Sequence, residues 1–176
     1  MTELSEKVAV VTGAGRGLGW AIAQRLALDG ANLVIAEIDG QSAQEKAASI
    51  RQMKREALAV PMDVSRWADV ENMVKQVMLK FNRIDILVNN AGINIRKVPQ
   101  DYKSAEWDDI LNVNLRSAFL FSQAVYPAMK SAGGGKIVNI GSMTSIFGVG
   151  QAPVYGASKG GIVQLPRSLA VAWAPD

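Results

Sequence analysis

The sequence predicts an α/β protein built on a doubly wound, mostly parallel sheet with helices on both faces, a three-layer α/β/α arrangement. Two observations carry that expectation. Short β-branched runs alternate with longer helical patterns along the whole chain, and no internal repeat or flexible linker interrupts them. The chemistry-bearing motifs fall where those runs end, and the carboxyl ends of parallel strands are where such sheets bind ligands.

"KVAVVT" (7–12) reads as a buried strand, and "GLGWAIAQRLALDG" as a helix with Ile22, Leu26 and Leu28 facing a core and Gly30 as its stop. "ANLVIAEI" is a second strand and 41–55 a polar helix. "EALAVPMDV" is a third strand, after which Ser65 serves as N-cap of a helix through about Lys80. "RIDILVNNAG" is a fourth strand running into a loop. One long helix is expected over 105–131, with Pro127 late in it and Gly133 to Gly135 ending it. "KIVNIGS" is a fifth strand, and a Gly-rich loop leads to a last helix from about 153. Pro166 inside that helix removes the bond to the Ile162 carbonyl, which typically costs about 3 kcal/mol or kinks the axis.

With 176 residues the chain is most simply one domain, large enough for a continuous core. Apolar residues make up 49% and charged residues 20%, the balance of a globular protein. No apolar run reaches the roughly eighteen residues that span a bilayer, and "MTELSEKVAV" carries no secretory pattern. A cytoplasmic location without a membrane partner is therefore expected. Cysteine and histidine are both absent. That excludes disulfides, thiol nucleophiles, a Ser-His-Asp triad and His- or Cys-ligated zinc, so no metal site is expected. Acid–base chemistry near neutral pH must instead use a perturbed Tyr, Lys, Asp or Glu. The net charge of +3 is scattered: "EKAASIRQMKRE" mixes Lys46, Arg51, Lys54 and Arg55 with Glu45 and Glu56. Such a run is a solvated helix face, and nucleic acid is not expected as a partner.

Residues 12–19, "TGAGRGLG", lie between the first strand and the first helix. Gly13 and Gly15 do not satisfy G-x-G-x-x-G, because position 18 is Leu18; the spacing is the wider T-G-x-x-x-G-x-G. Glycines there let the backbone turn tightly and approach a pyrophosphate, while the helix N-terminus offers free N–H groups and partial positive charge. A tight turn without ligand is the plainer reading. Glu37, at the end of the second strand, favours the first, since a carboxylate there can accept hydrogen bonds from an adenosine ribose. It would also repel a 2′-phosphate by about 1–4 kcal/mol. Arg16 pulls the other way, as a guanidinium able to pair with that phosphate. NAD is the expected cofactor, with NADP left open.

"NNAG" (89–92), Asn114, Ser142 and the Tyr155/Lys159 pair of "YGASK" follow in order. Residues i and i+4 share a helix face, so the Lys159 ammonium can sit beside the Tyr155 phenol. A free phenol titrates near about 10, and a neighbouring cation stabilises phenolate. Tyr155 can then exchange a proton with an alcohol oxygen that Ser142 orients. Singly, each residue has a plainer reading: Ser142 as a loop hydrogen-bonder, Asn114 as a buried amide bonded to backbone, "NNAG" as a turn, and Tyr155 and Lys159 as side chains lying over apolar surface.

Together, "TGAGRGLG", "NNAG", Asn114, Ser142 and "YGASK" make the chain resemble the short-chain dehydrogenase/reductase family over essentially its whole length. The resemblance implies a Rossmann-type fold and an NAD(P)-dependent oxidoreductase moving hydride between nicotinamide and a secondary alcohol or ketone. It implies a catalytic set of Asn114, Ser142, Tyr155 and Lys159. Cofactor contacts are implied for Gly13, Arg16, Gly17, Leu18, Gly19, Glu37, Asp63, Val64, Asn90, Ala91, Gly92, Tyr155 and Lys159. Within these, Asp63 and Val64 match the adenine-contacting position, Lys159 contacts the nicotinamide ribose, and Asn114 holds a water that links the lysine to solvent. "NNAGINIRK" looks similar to sugar-acid (gluconate-type) dehydrogenases, with 3-oxoacyl-carrier-protein reductases close behind. In that loop Arg96 and Lys97 are either carboxylate-attracting groups or solvated charges.

Members of the family continue past the position of Asp176 with two more strands and a substrate-covering lid. The chain is therefore expected to form the family fold without its last strands. The final helix is apolar around most of its circumference, and in the family the two long helices, here 105–131 and 153–174, pack against another subunit. A homo-oligomer, dimer or tetramer, follows as an expectation. A second reading stands beside the enzyme: an impaired remnant that binds dinucleotide or only associates with other subunits.

Overall fold

The structure, a computed structural model, describes residues 3–176. Five parallel strands, β1 (Val8–Thr12), β2 (Asn32–Glu37), β3 (Ala57–Pro61), β4 (Ile86–Asn89) and β5 (Lys136–Asn139), lie in the order β3-β2-β1-β4-β5. Among the described residues five α-helices connect them, α1 (Gly17–Leu28), α2 (Gly40–Gln52), α3 (Trp67–Phe81), α4 (Ser104–Leu111) and α5 (Ser117–Ser131), and a sixth, α6 (Pro153–Trp173), follows β5. β1 is central and buried at every position. Its alternation divides the core: Val8 and Val10 pack with Met73, Phe121 and Val125 on one face, while Ala9 and Val11 pack with Ala23, Ala27 and Ile50 on the other. The strand order reverses between β1 and β4, which opens a crevice at their carboxyl ends.

Several local expectations need correction. In α1 the buried residues are Gly19, Ala23 and Ala27, whereas Leu28 is 64% exposed. Small residues let this helix lie close on the sheet, and Ile22 and Leu26 only flank the contact. Ser65 does not cap α3. Its hydroxyl donates to Asp63 Oδ1 at 2.7 Å, and Arg66 occupies the cap position without a side-chain bond. The long helix over 105–131 is broken by a π-helical turn at Asn112–Arg116. Neither internal proline ends its helix, as α5 runs through Pro127 and α6 through Pro166. In α6, Ile162 and Lys159 are buried, while Val171 near its end is 84% exposed.

At the opposite end of the sheet, the buried Asp85 carboxylate accepts hydrogen bonds from Arg83 Nε (2.7 Å) and Nη2 (2.5 Å), Lys7 Nζ (3.1 Å) and the Val8 N–H (2.9 Å). Desolvation raises its pKa, but the Arg83, Val8 and Lys7 hydrogen bonds outweigh burial and hold it below the ordinary carboxylate value. Its stabilisation is thus complete above about pH 4 and is lost as pH falls through the lowered folded-state value. Asp85→Asn would aim an amide N–H₂ at a set of donors, and should cost about 2–4 kcal/mol at neutral pH. Urea melts check this: the gap from wild type should narrow in acid.

Candidate active site

The glycine loop is held from below by the segment after β4. Thr12 Oγ1 accepts from the Asn90 and Ala91 N–H groups, both at 3.0 Å, and Asn90 Nδ2 donates to the Thr12 and Gly13 carbonyls at 2.9 and 3.2 Å. The loop therefore needs glycine for space. A Cβ on Gly13, whose φ is +63°, would lie 3.0 Å from Ala91 Cα, and one on Gly19 would lie 2.2 Å from the Gly13 carbonyl oxygen. In "NNAG", Asn89 ends β4 and residues 90–92 run on as irregular chain, not as the turn of the plainer reading, and Asn90 and Ala91 brace the loop. Thr12 opens the T-G-x-x-x-G-x-G motif, but its bracing partners lie 78 and 79 residues away, beyond what local spacing shows.

Above this loop lies a cleft of about 310 Å³. Gly13, Arg16, Leu18 and Gly19 line one side of it, Glu37 and Ile38 the end of β2, Asp63 and Val64 the loop after β3, and Asn90, Ala91 and Gly92 the segment after β4. Gly17 opens α1 at φ +55° and is not among the lining residues. Glu37 Oε2 accepts from the Gly15 N–H at 2.9 Å, and Oε1 accepts from the Ile38 N–H at 2.9 Å and the Asp39 N–H at 3.3 Å. Asp63 Oδ1 is taken by the Ser65 N–H and hydroxyl.

Gly92 joins the cleft to the candidate acid–base group. A Cβ there would sit 3.4 Å from Asn114 Oδ1 and 3.8 Å from Lys159 Nζ. Lys159 lies in the second turn of α6, buried, with Nζ 5.8 Å from the Tyr155 ring centroid. Nζ donates to the Ile140 carbonyl at 2.7 Å, and burial pushes the ammonium below the ordinary lysine value. Tyr155 is half-buried beside it. Lys159 and Tyr155 are thus neighbours on one helix face, and Lys159 is a buried group instead of a surface cover.

Asn114 sits inside the π-helical turn, 2% exposed. Its Oδ1 accepts from the Ile93 N–H at 2.8 Å, while Nδ2 donates to the Ile93 carbonyl (2.9 Å) and to Ser158 Oγ (3.0 Å). The side chain is therefore committed to protein partners, as the plainer reading of a buried amide predicts. π-helical turns of this sort frequently mark functional sites. Ser158, which donates onward to the Tyr155 carbonyl at 2.7 Å, is a tie between the π turn and α6 that the sequence did not single out.

Ser142 follows β5 and caps a short 3₁₀ turn at Met143–Ser145. Its N–H donates to Ser145 Oγ at 3.1 Å, and Ser145 Oγ donates to the Lys159 carbonyl at 2.8 Å. The lysine therefore grips both sides of Ser142, through Ile140 before it and Ser145 after it. In the loop after β4, Lys97 is paired with Glu106 at 2.5 Å, while Arg96 is exposed.

Comparison with known proteins agrees with this architecture. The chain is 35% identical over 172 residues to the NAD-dependent glycerol dehydrogenase of Listeria innocua, covering 98% of this chain and 66% of that protein. It is 37% identical over 172 residues to the 2-dehydro-3-deoxy-D-gluconate 5-dehydrogenase of Escherichia coli, covering 97% and 67%. The crystal structure of an NAD+-bound xylitol dehydrogenase superposes with a TM-score of 0.95 at 34% identity, covering 98% of this chain and 67% of the other. The chain thus spans about two thirds of the length of the curated relatives it matches. Residues 7–176 match the profile of the short chain dehydrogenases, and the chain belongs to that family.

Proposed function

We propose that the chain carries the cofactor cleft and the acid–base group of an NAD-dependent oxidoreductase acting on a secondary alcohol or ketone. The observation that supports this reading is that buried Lys159, whose Nζ lies 5.8 Å from the Tyr155 ring, neighbours the cleft-lining Gly92 and sits one loop from Ser142. The glycine loop suits a dinucleotide: Gly13 and Gly19 line the cleft and have no room for a Cβ, so the backbone itself faces the space a ligand would fill. A nicotinamide dinucleotide bound there supplies or accepts the hydride. Ser142 donates a hydrogen bond to the substrate oxygen and fixes its position. Tyr155 removes the alcohol proton as the carbonyl forms, or delivers it in the reverse direction. The Lys159 ammonium stabilises the phenolate side of that exchange. Asn114, bonded to Ile93 and Ser158, keeps the π turn and α6 in register around the pair.

Preference for NAD over NADP rests on Glu37. Three backbone N–H groups hold its carboxylate at the cleft, where it would oppose a 2′-phosphate and accept from ribose hydroxyls. Arg16 is exposed on the facing loop and moderates that bias. Glu37→Ser should therefore narrow the NADH-over-NADPH preference by about tenfold or more, since each 1.4 kcal/mol of relieved repulsion is about a factor of ten. Paired cofactor titrations of wild type and variant check it.

For substrate we favour a polyol or sugar acid. Glycerol, xylitol and a deoxygluconate are named for similar proteins, and exposed Arg96 offers a cation for a carboxylate. No observation favours the remnant reading. Exposed apolar side chains on α4, α5 and α6 (Trp107, Phe119 and Val171) support a homo-oligomer through these helices. Among the described residues no helix is long and apolar enough to cross a membrane. Turnover of glycerol, threitol, gluconate and their keto forms with NAD(H) tests the reading, and absence of turnover on all of them would contradict it.

A further inference from the structure

Ser142 is held by more than its place in the chain. Its Oγ accepts from the Thr144 N–H at 3.1 Å and from the Thr144 hydroxyl at 2.9 Å. A hydroxyl has one proton and two lone pairs. With both lone pairs engaged, the only bond left to Ser142 is the one its own proton makes. The surrounding turn is fixed, because Ser145 Oγ bridges the Ser142 N–H to the Lys159 carbonyl and Lys159 Nζ holds the Ile140 carbonyl. The Thr144 hydroxyl has no other hydrogen-bond partner among the described residues, and it is half-buried.

We infer that Thr144 is a positioning residue that turns Ser142 into a one-way hydrogen-bond donor. The inference rests on the oxidoreductase reading, and it goes beyond that reading by naming what sets the polarity of the Ser142 hydroxyl. Donation from Thr144 polarises the Ser142 O–H, and hydrogen bonds in such chains strengthen one another. Ser142 can then offer its proton to a carbonyl or alkoxide oxygen but cannot accept one from an alcohol. The alcohol proton has a single destination, Tyr155. Without the Thr144 hydroxyl, one Ser142 lone pair is free to accept the substrate O–H, in an orientation that keeps the proton from Tyr155.

The test is a double-mutant cycle on the full chain, which isolates coupling between residues in contact. Thr144→Val keeps the shape and removes the hydroxyl, and Thr144→Ser restores it. Thr144→Val is expected to lower kcat about tenfold with little change in KM for the alcohol, the pattern of an interaction made only in the transition state. NADH affinity and thermal midpoint should stay near wild type, and Thr144→Ser should recover most of the rate. In a Ser142→Ala background Thr144→Val should change little, because the residue it acts through is gone. An equal loss in both backgrounds, or no loss in wild type, overturns the inference while leaving the oxidoreductase reading intact. Near-normal turnover of Ser142→Ala or Tyr155→Phe overturns that reading and this inference with it.

Discussion

Tyr155→Phe is expected to lower turnover by about a thousandfold while leaving NADH affinity largely unchanged. The substitution removes one oxygen from a half-buried ring and leaves the ring's packing in place. The chain has no histidine and no cysteine to stand in for it. Lys159 cannot replace it, since its Nζ is bonded to the Ile140 carbonyl and holds the Ser142 turn from below. A thousandfold loss corresponds to about 4 kcal/mol of transition-state stabilisation, the scale of a general acid–base group together with its charged neighbour. Steady-state rates with and without the phenol, beside an NADH titration of each protein, measure it. Turnover within a few-fold of wild type would remove Tyr155 from the chemistry.

Gly19→Ala is expected to have an equally large effect on binding. Its Cβ would lie 2.2 Å from the Gly13 carbonyl oxygen and 2.4 Å from Asn90 Nδ2. Backbone on one side and a doubly bonded amide on the other leave no flexible group to move aside. The loop must shift, at a cost of about 3 kcal/mol. The shift also breaks the brace that runs through Asn90 and Thr12 to β4. NADH binding should be abolished, and the urea midpoint should fall. Gly17→Ala is the informative contrast. It meets no neighbour within 4 Å and suffers only the left-handed φ of +55°, so it should fold better than Gly19→Ala.

The sheet and its loops were legible because strand runs, glycine turns and helix patterns agreed with one another. The alternation of β1 between Val8/Val10 and Ala9/Val11 shows why: each local choice matched a face of the finished sheet. Tyr155 and Lys159 were legible because helical spacing alone places them together. What the sequence hid depends on partners distant along the chain. The π turn at Asn112–Arg116 interrupts a pattern that reads as plain helix, since the amide that accompanies it bonds to Ile93 and Ser158. Ser65 looked like a cap until Asp63 claimed its hydroxyl. Lys97 reads as either a carboxylate-attracting group or a solvated charge, and the structure instead pairs it with Glu106, nine residues on. Leu28 looked like core, but α1 lies so close to the sheet that alanines fill the contact.

The proposed oxidoreductase needs the cleft that reaches Gly92, beside Lys159, to hold a nicotinamide dinucleotide. NADH titration of the full chain, read as energy transfer from its tryptophans, tests it most directly; Trp20 directly follows the cleft-lining Gly19. Saturable binding of one NADH per chain is expected, with weaker binding of NADPH and loss of both in Gly19→Ala. A chain that unfolds cooperatively in urea yet shows no saturable NADH binding would contradict it.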